Sequence, residues 1–544
     1  MCIRLLLFAL IQLTASVLFA QAGSLDNSFA GNGKKQTNTG GSAVAVAVQP
    51  TDQKILVAGG TTVVRYTTTG TLDNAFGSGG IATLDFGNAF VNIHAMAIQP
   101  DGKIVLAGTY QAPTGQANLF VTRLTTTGLV DGNFNNIGFN TVPHYNQVSG
   151  AMDGATAVAI QPDGKIVACG EYYDETTGVD NKRGPFYLGV VRFTGTGQLD
   201  NSFATGGQVI TYPGNKKTAP TGIAITPAGK IIVCGYRMRW LLDNTITPDS
   251  VLVAQYTSDG VLDAAAFGTN GTGGFARYTV GSDYDCHANA ITLQPDGRIL
   301  LAGYFASGGV HPNFLVMRLN TNGTLDNNFA GNGKLAVGFG NQDFASGIGL
   351  EPGTGAIVVA GITEPSAGNQ FAVCRVSTTG VPDNSFGAAG KVTIPWTGSA
   401  PMSTTGTLAI QSNGRIVVTG TARTAPPNNV PYMATIRLLS SGSGFTILSD
   451  SLAVTRTAAG FSTDNRAGIK LYPNPAATEL AVSGLSTGEP ALLTVTDMAG
   501  RTLLRQRTNA GNILLDISRL APSSYFLTVT GTANRQSFPF VKVP

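Results

Sequence analysis

Charge is what this sequence has least of. Asp, Glu, Lys and Arg make up 12% of its 544 residues, and the formal net charge is only +3. No Lys/Arg run stands out, which argues against nucleic-acid binding by phosphate neutralisation. The same shortage argues against exposed helices laced with ion pairs. Histidine occurs four times, tryptophan twice and cysteine five times, with no CxxC and no Cys/His ligand spacing. No GxSxG, HExxH, P-loop or dinucleotide fingerprint stands in a supporting context. Neither a cofactor nor a metal is expected. Beyond the N-terminus no apolar run is long enough to span a membrane.

Glycine, by contrast, occurs 70 times, and with plentiful Thr, Val and Ile it points to short strands and tight turns. The stretch Gln99-Pro100-Asp101-Gly102-Lys103-Ile104-Val105-Leu106-Ala107-Gly108 recurs as Gln161–Gly170 and Gln294–Gly303. Looser copies run Gln49–Gly59, Thr226–Gly235, Glu351–Gly361 and Gln411–Gly420, seven in all. Asp-Gly between apolar runs predicts a hairpin. Each unit then carries a strand ending in Arg (Arg65, Arg123, Arg192, Arg318, Arg375, Arg437; Gln255 in one unit). A glycine follows five residues later, the seventh being Gly442, and then a Leu-Asp-x-x-Phe-like box. Four strands A to D per unit, A and B apolar on both faces, predict an all-β fold: a seven-bladed β-propeller of four-stranded blades.

The ends of the repeat array are informative. Arg and the box Asp stand eight residues apart in Arg65/Asp73, Arg123/Asp131, Arg192/Asp200, Arg318/Asp326 and Arg375/Asp383. Arg437 has no such Asp, while the box at Leu25-Asp26 has no Arg before it. Residues 25–37 are therefore expected to supply the outer strand of the last blade, with Asp26 beside Arg437. That arrangement would close the ring and remove exposed sheet edges. As scaffold, these pairs fix the C–D turns; a ligand role is the alternative.

Residues 1–22 have the pattern of a signal peptide, with Arg4, an apolar core and Ala20-Gln21-Ala22, which makes Gly23 the expected first mature residue. An uncleaved anchor is the alternative; after cleavage no transmembrane segment is expected. The propeller spans 23–442, and a Ser/Thr/Gly-rich linker spans 443–467, with a short strand at Phe445–Leu448. Strand patterns within 468–544 predict a small C-terminal β-sandwich domain. Cys169, Cys234, Cys286 and Cys374 would remain, either as small buried residues or as disulfides.

The repeat resembles the delta-60 family of bacterial predicted β-propellers and, in the order of its elements, NHL-type repeats. That likeness implies fold and export but no activity. The tail resembles the type A sorting domain of type IX secretion in Tyr472-Pro473-Asn474-Pro475, Thr496-Asp497-Met498-Ala499-Gly500-Arg501 and Leu520-Ala521-Pro522-Ser523-Ser524-Tyr525-Phe526. Ser524 stands where that family has glycine. This second resemblance implies that the type IX machinery exports the chain through 468–544, removes the tail, and leaves the product secreted or attached to the cell surface.

The A–B turns are uniform, whereas the B–C loops vary, and variable loops on a rigid scaffold are where binding is found. The loops of that end carry His144, Tyr145, Tyr172, Tyr173, Asp174, Arg237, Arg239, Trp240, Tyr284, Asp285, His287, His311 and Trp396, with His94 at the start of a strand A. They form the candidate ligand face, for a glycan or a protein; the bland alternative is ordinary loop residues. No catalytic residue is assigned. The expected function is a secreted or cell-surface binding module. A polysaccharide-active hydrolase or lyase would need converging carboxylates or a His/Tyr pair near the channel, and a purely structural surface protein would have no pocket.

Overall fold

The computed structural model describes residues 21–441 and 470–542, apart from 116, 143–153, 174–185, 214–216, 239–248, 269–272, 281–283, 308–310, 366–367, 397–399, 405–406, 425–427, 473–478, 484, 486–489, 498–501, 522 and 531–534. Every element among the described residues is a strand. The chain divides into two compact units, Met1–Ile447 and Leu448–Pro544. The expected linker, the strand at Phe445–Leu448 and Gly442 lie outside the described residues, as does the expected signal peptide except for Gln21 and Ala22.

The first unit holds seven antiparallel sheets, the blades of a β-propeller. Six are meanders whose strands A to D follow in chain order. Blade 5 is representative: Tyr284–Leu293, Ile299–Ser307, Asn313–Leu319 and Lys334–Val337. Blade 7 takes strands B and C, Ile416–Arg423 and Pro431–Leu438, from the end of the unit and strand D, Lys34–Thr37, from its beginning. Lys34 lies opposite Ile436 and Thr37 opposite Met433. Strand A of blade 7 is broken into Ala400–Thr404 and Leu408–Ile410, a division that the repeat pattern does not predict. The B and C strands are buried on both faces because each sheet is covered by its neighbours; Val57 of blade 1, for example, shares a core with Val417 and Met433 of blade 7.

Two features of the recurring stretch have clear causes. Gln99 N donates to Lys103 O and Gly102 N to Gln99 O, both at 2.9 Å, with Gly102 at φ +82°. The loop Pro100-Asp101-Gly102 is thus one residue longer than the tight Asp-Gly type. The glycine that ends the recurring stretch lies within a strand B that runs on past it, opposite a β-bulge in strand A, as Gly303 opposite the register shift between Ala288 and Ala290. A Cβ at Gly303 would fall on the His287 carbonyl. The same crowding recurs at Gly108, Gly170, Gly235 and Gly361, so these positions exclude a side chain.

The Arg/Asp pairs are buried, except that Asp383 is half-buried. Nε of Arg65, Arg123, Arg192, Arg318, Arg375 and Arg437 donates to Asp73, Asp131, Asp200, Asp326, Asp383 and Asp26, respectively, at 2.7–2.9 Å. Each guanidinium also covers the box phenylalanine, Arg65 lying 4.5 Å from the Phe76 ring centre. Nη1 then reaches a turn carbonyl of the next blade: Arg65 to Thr126 O at 2.6 Å, Arg123 to Gly195 O and Arg192 to Ser258 O at 2.5 Å, and Arg437 to Thr68 O. One side chain therefore fixes its own turn and ties two blades together. The Lys of the recurring stretch joins the same carboxylate, Lys54 lying 3.0 Å from Asp73 and Lys103 3.2 Å from Asp131. In blade 4, Gln255 donates to Asp263 at 2.8 Å, and Tyr278 supplies the link to blade 5 by donating to Gly323 O.

These carboxylates make stability pH-dependent. Burial works against ionisation of Asp200, but hydrogen bonds from Ser202 and the Arg192 and Lys165 charges hold it down at about 2. Asp26, Asp73, Asp131, Asp263 and Asp383 are also lowered. A folded-state pKa below the unfolded value adds stability above the unfolded pKa, and that stability is lost as pH falls through the folded one. The propeller should therefore lose stability between about pH 4 and pH 2. Denaturation midpoints across that window will check this, and Asp200→Asn should flatten the dependence.

Cys169, Cys234, Cys286 and Cys374 are free and buried. Burial pushes the Cys169, Cys234 and Cys374 thiols up to about 12.

The second unit has a three-stranded sheet, Lys470–Tyr472, Glu479–Ser483 and Asn512–Asp516, and a four-stranded one, Thr502–Thr508, Ala491–Asp497, Ser523–Thr530 and Arg535–Lys542. Leu480, Val482, Leu493, Leu515 and Leu527 from both sheets share one core. The edge strand Thr502–Thr508 escapes the apolar pattern because its Arg505, Gln506 and Arg507 are exposed, as suits an edge.

Candidate functional site

On the loop-bearing end, blades 4 and 5 bring together a chain of polar groups. His287 sits on strand A of blade 5, at the carbonyl crowded by Gly303. One ring nitrogen, Nε2, lies 2.8 Å from Asp249 Oδ2. The other, Nδ1, lies 3.0 Å from the Tyr304 hydroxyl. Tyr236 of blade 4 stacks on the imidazole, with centroids 3.7 Å apart and planes at 16°. The Tyr304 ring is tilted against the imidazole, with centroids 4.7 Å apart and planes at 36°, and Phe344 of blade 6 packs against Tyr304. Asp249 and His287 are both buried. Asp285 is exposed at the rim, where its Oδ1 accepts from Asp249 N at 2.8 Å.

The electrostatics order the protons. Burial, aided by Tyr236, Asp249 and Asp285, pushes the Tyr304 phenol up to about 12. The phenol is therefore protonated at neutral pH and able to donate to Nδ1 of a neutral imidazole. In that tautomer Nε2 bears the ring hydrogen and donates to Asp249. Tyr236 is raised as well, by burial and then by Glu171 and Asp249. Asp343 in blade 6 is wholly buried, and burial raises its carboxyl although Oδ2 accepts from Phe339 N at 2.6 Å.

Of the residues named from sequence, His287 and Asp285 enter this cluster. Tyr284 is adjacent on the strand, but its side chain, like that of Tyr173, lies outside the described residues. His144, Tyr145, Asp174, Arg239 and Trp240 also lie outside them. Arg237 ends strand B of blade 4, half-buried opposite Ser250, and His311 is exposed in blade 5. Trp396 packs between blades 6 and 7, its ring edge-on to Phe371 and its Nε1 donating to Tyr432 OH at 2.9 Å. His94 spans blades 2 and 3 through Nδ1 and Ala155 O, 3.0 Å apart. Tyr172 lines a slot with Leu119, Val142, Gly154 and Gly189 that encloses about 40 Å³, room for little more than one water.

Asp249, Tyr236 and Tyr304 are not among the residues named from sequence. Two of them had a signal: Tyr directly follows the strand-B glycine in two successive units, Gly235-Tyr236 and Gly303-Tyr304. Among the described residues, no group of three or more His, Cys, Asp or Glu is placed to hold a metal ion.

Five stretches, 51–76, 99–134, 161–203, 294–329 and 411–444, match the model of a β-propeller domain of unknown function, DUF5122. Residues 470–542 match a secretion system C-terminal sorting domain. No curated protein matches the chain. Among solved structures, a Dyadobacter fermentans protein of unknown function is 9% identical over 75% of this chain and 99% of its own, with a TM-score of 0.42. A GH93 α-L-arabinofuranosidase of Fusarium graminearum, solved with arabinobiose, is 11% identical over 63% and 92%, with a TM-score of 0.38. PorZ, a surface component of the type IX secretion system of Porphyromonas gingivalis, is 10% identical over 92% and 81%, with a TM-score of 0.17.

Proposed function

This chain carries DUF5122 β-propeller repeats and a type IX secretion sorting domain, and is thus a secreted or outer-membrane surface protein; we propose that it acts there as a binding module. Its binding surface is the loop-bearing end of blades 4 to 6, and its ligand class is a glycan. The stacked Tyr236–His287–Tyr304 group beside Asp249 and Asp285 carries this reading. Aromatic edges offer apolar contact to sugar C–H groups, and the exposed Asp285 carboxylate accepts from hydroxyls, the mix of apolar wall and few convergent polar groups that ligand sites use. The domain division follows the same reading. A signal peptide within residues 1–22 is removed, 25–37 close the ring, a reading supported by the pairing of Lys34–Thr37 with blade 7, and 468–544 engage the type IX machinery.

A glycan array probed with the tail-free propeller will test the site. Asp285→Ala should weaken any binding at least about tenfold, equivalent to ~1.4 kcal/mol. Asp101→Ala, on the turn end, should leave it unchanged. Binding unaffected by Asp285→Ala and by His287→Ala would place the ligand elsewhere.

The Asp249–His287–Tyr304 chain favours a second reading, a polysaccharide-active enzyme in which His287 takes the Tyr304 proton so that the phenolate oxygen acts as base. Polysaccharide depolymerisation by the parent and its loss in Tyr304→Phe would select this reading over simple binding.

A further inference from the structure

We propose that the mature protein begins at Gln21, so that the signal is cut after Ala20 and not after Ala22. The reason lies in how the C–D turn of blade 7 is built.

In blade 1 this turn is one continuous stretch. Gly70 N donates to Thr67 O at 3.0 Å, Thr67 N to Thr71 O at 2.8 Å, and Asp73 N to Arg65 O at 2.9 Å. Blade 7 makes the same bonds between two distant segments. Gly23 N donates to Leu439 O at 2.7 Å, Leu439 N to Ser24 O at 3.0 Å, and Asp26 N to Arg437 O at 2.8 Å. Gly23 therefore occupies the place of Gly70, and the two share a positive φ, +88° and +82°. Each stands three residues before the box Asp. Ala22 occupies the place of Thr69.

That place has a repeated task. At the other junctions, the residue after the box phenylalanine donates its N–H to the carbonyl four residues beyond the strand-C Arg. Ala30 donates to Thr69 O, Gly77 to Thr127 O and Ala330 to Thr379 O, at 2.8, 2.8 and 2.9 Å. Between blades 6 and 7 the donor is Gly387, and the acceptor is Ala22 O at 2.8 Å. Ala22 also bridges to Phe386 and is only 4% exposed, in a core with Phe371 and Leu438. Gln21 contributes too: its carbonyl accepts from Ser24 N and Oγ at 3.0 and 2.6 Å, and its Nε2 donates to Gly387 O at 2.7 Å.

A cut after Ala22 would delete a buried side chain and leave Gly387 N without its acceptor, a loss that folded proteins avoid. A cut after Ala20 keeps the whole turn and still places a small residue before the scissile bond. Leu18 then takes the position two residues further upstream, which departs from the Ala-x-Ala pattern. The pattern alone therefore favours the later cut, and the fold favours the earlier one.

The full chain, secreted by a host with a type IX system, will be digested and its N-terminal peptide identified by mass spectrometry. The expected first residue is Gln21, with or without loss of ammonia by cyclisation. Gly23, Met1 or any other first residue overturns the proposal. In parallel, two otherwise full chains released from a fusion partner so as to begin at Gln21 or at Gly23 will be melted. The Gln21 chain should melt about 2 °C higher or more; equal or reversed melting temperatures would overturn the structural basis of the earlier cut.

Discussion

Placing a single methyl group on Gly303 is expected to destabilise the propeller by about 3 kcal/mol or more. The new Cβ would lie 2.8 Å from the His287 carbonyl carbon and 3.0 Å from Ala288 Cα, with the carbonyl oxygen closer still. All of these are backbone atoms, so no side-chain rotation relieves the contact. The bulge between Ala288 and Ala290 would have to open, and blades 4 and 6 pack against that strand. Gly189→Ala is the control. It too is a strand glycine, but its Cβ would meet Gly170 O at 3.5 Å and Tyr172 Cβ at 3.6 Å, ordinary contact distances. Urea denaturation should show a large loss for Gly303→Ala and a small change for Gly189→Ala. Equal midpoints would refute the bulge explanation. The same substitution shifts the His287 carbonyl, so any ligand bound at the Tyr236–His287–Tyr304 group should bind more weakly before the blade unfolds.

Arg437→Met should cost about 3–5 kcal/mol, the usual consequence of stranding a buried partner. Arg437 is 2% exposed. It donates to Asp26 at 2.9 Å, to Ser28 Oγ at 2.9 Å, to Gln411 at 3.3 Å and to Thr68 O of blade 1. It therefore holds the N-terminal segment to blade 7 and blade 7 to blade 1 at once. Limited proteolysis should release the segment around Asp26 first, because no covalent turn joins it to strand C. Arg437→Gln should lose less, since blade 4 uses Gln255 against Asp263 in the same place. Identical stability of the Met and Gln variants would show that the carboxylate contact is not what holds the segment.

Within a blade, almost everything was legible in the chain. The apolar runs, the Pro-Asp-Gly loops and the eight-residue Arg–Asp spacing are local quantities, and they specify which strands pair and where the turns fall. The orphan box and the orphan Arg437 even point to the long-range contact at Asp26, because a repeat cut in two leaves complementary halves. The two units that depart most from the pattern, with Gln255 in one and Glu351 and Ala356 in the other, are skipped by the DUF5122 match. Both nonetheless form complete four-stranded blades, since sheet packing tolerates changes in the latch residues.

Between blades, little could be deduced from spacing. Asp249, Tyr236, His287 and Tyr304 come from a loop and three strands on two sheets, and they meet only because adjacent sheets stack with one angle and one offset. Trp396 illustrates the reverse: an aromatic residue in a loop-rich region turns out to cover a blade junction. Ala22 illustrates it again. Its neighbours in sequence suggest a peptidase motif, while its neighbours in space make it part of a turn completed by residues more than 400 positions away. Periodicity and turn chemistry thus dictate the number and make-up of the blades. Which side chains converge, and which of the terminal residues the fold must keep, follow from how the sheets are pressed together, and that is a property of the assembled propeller.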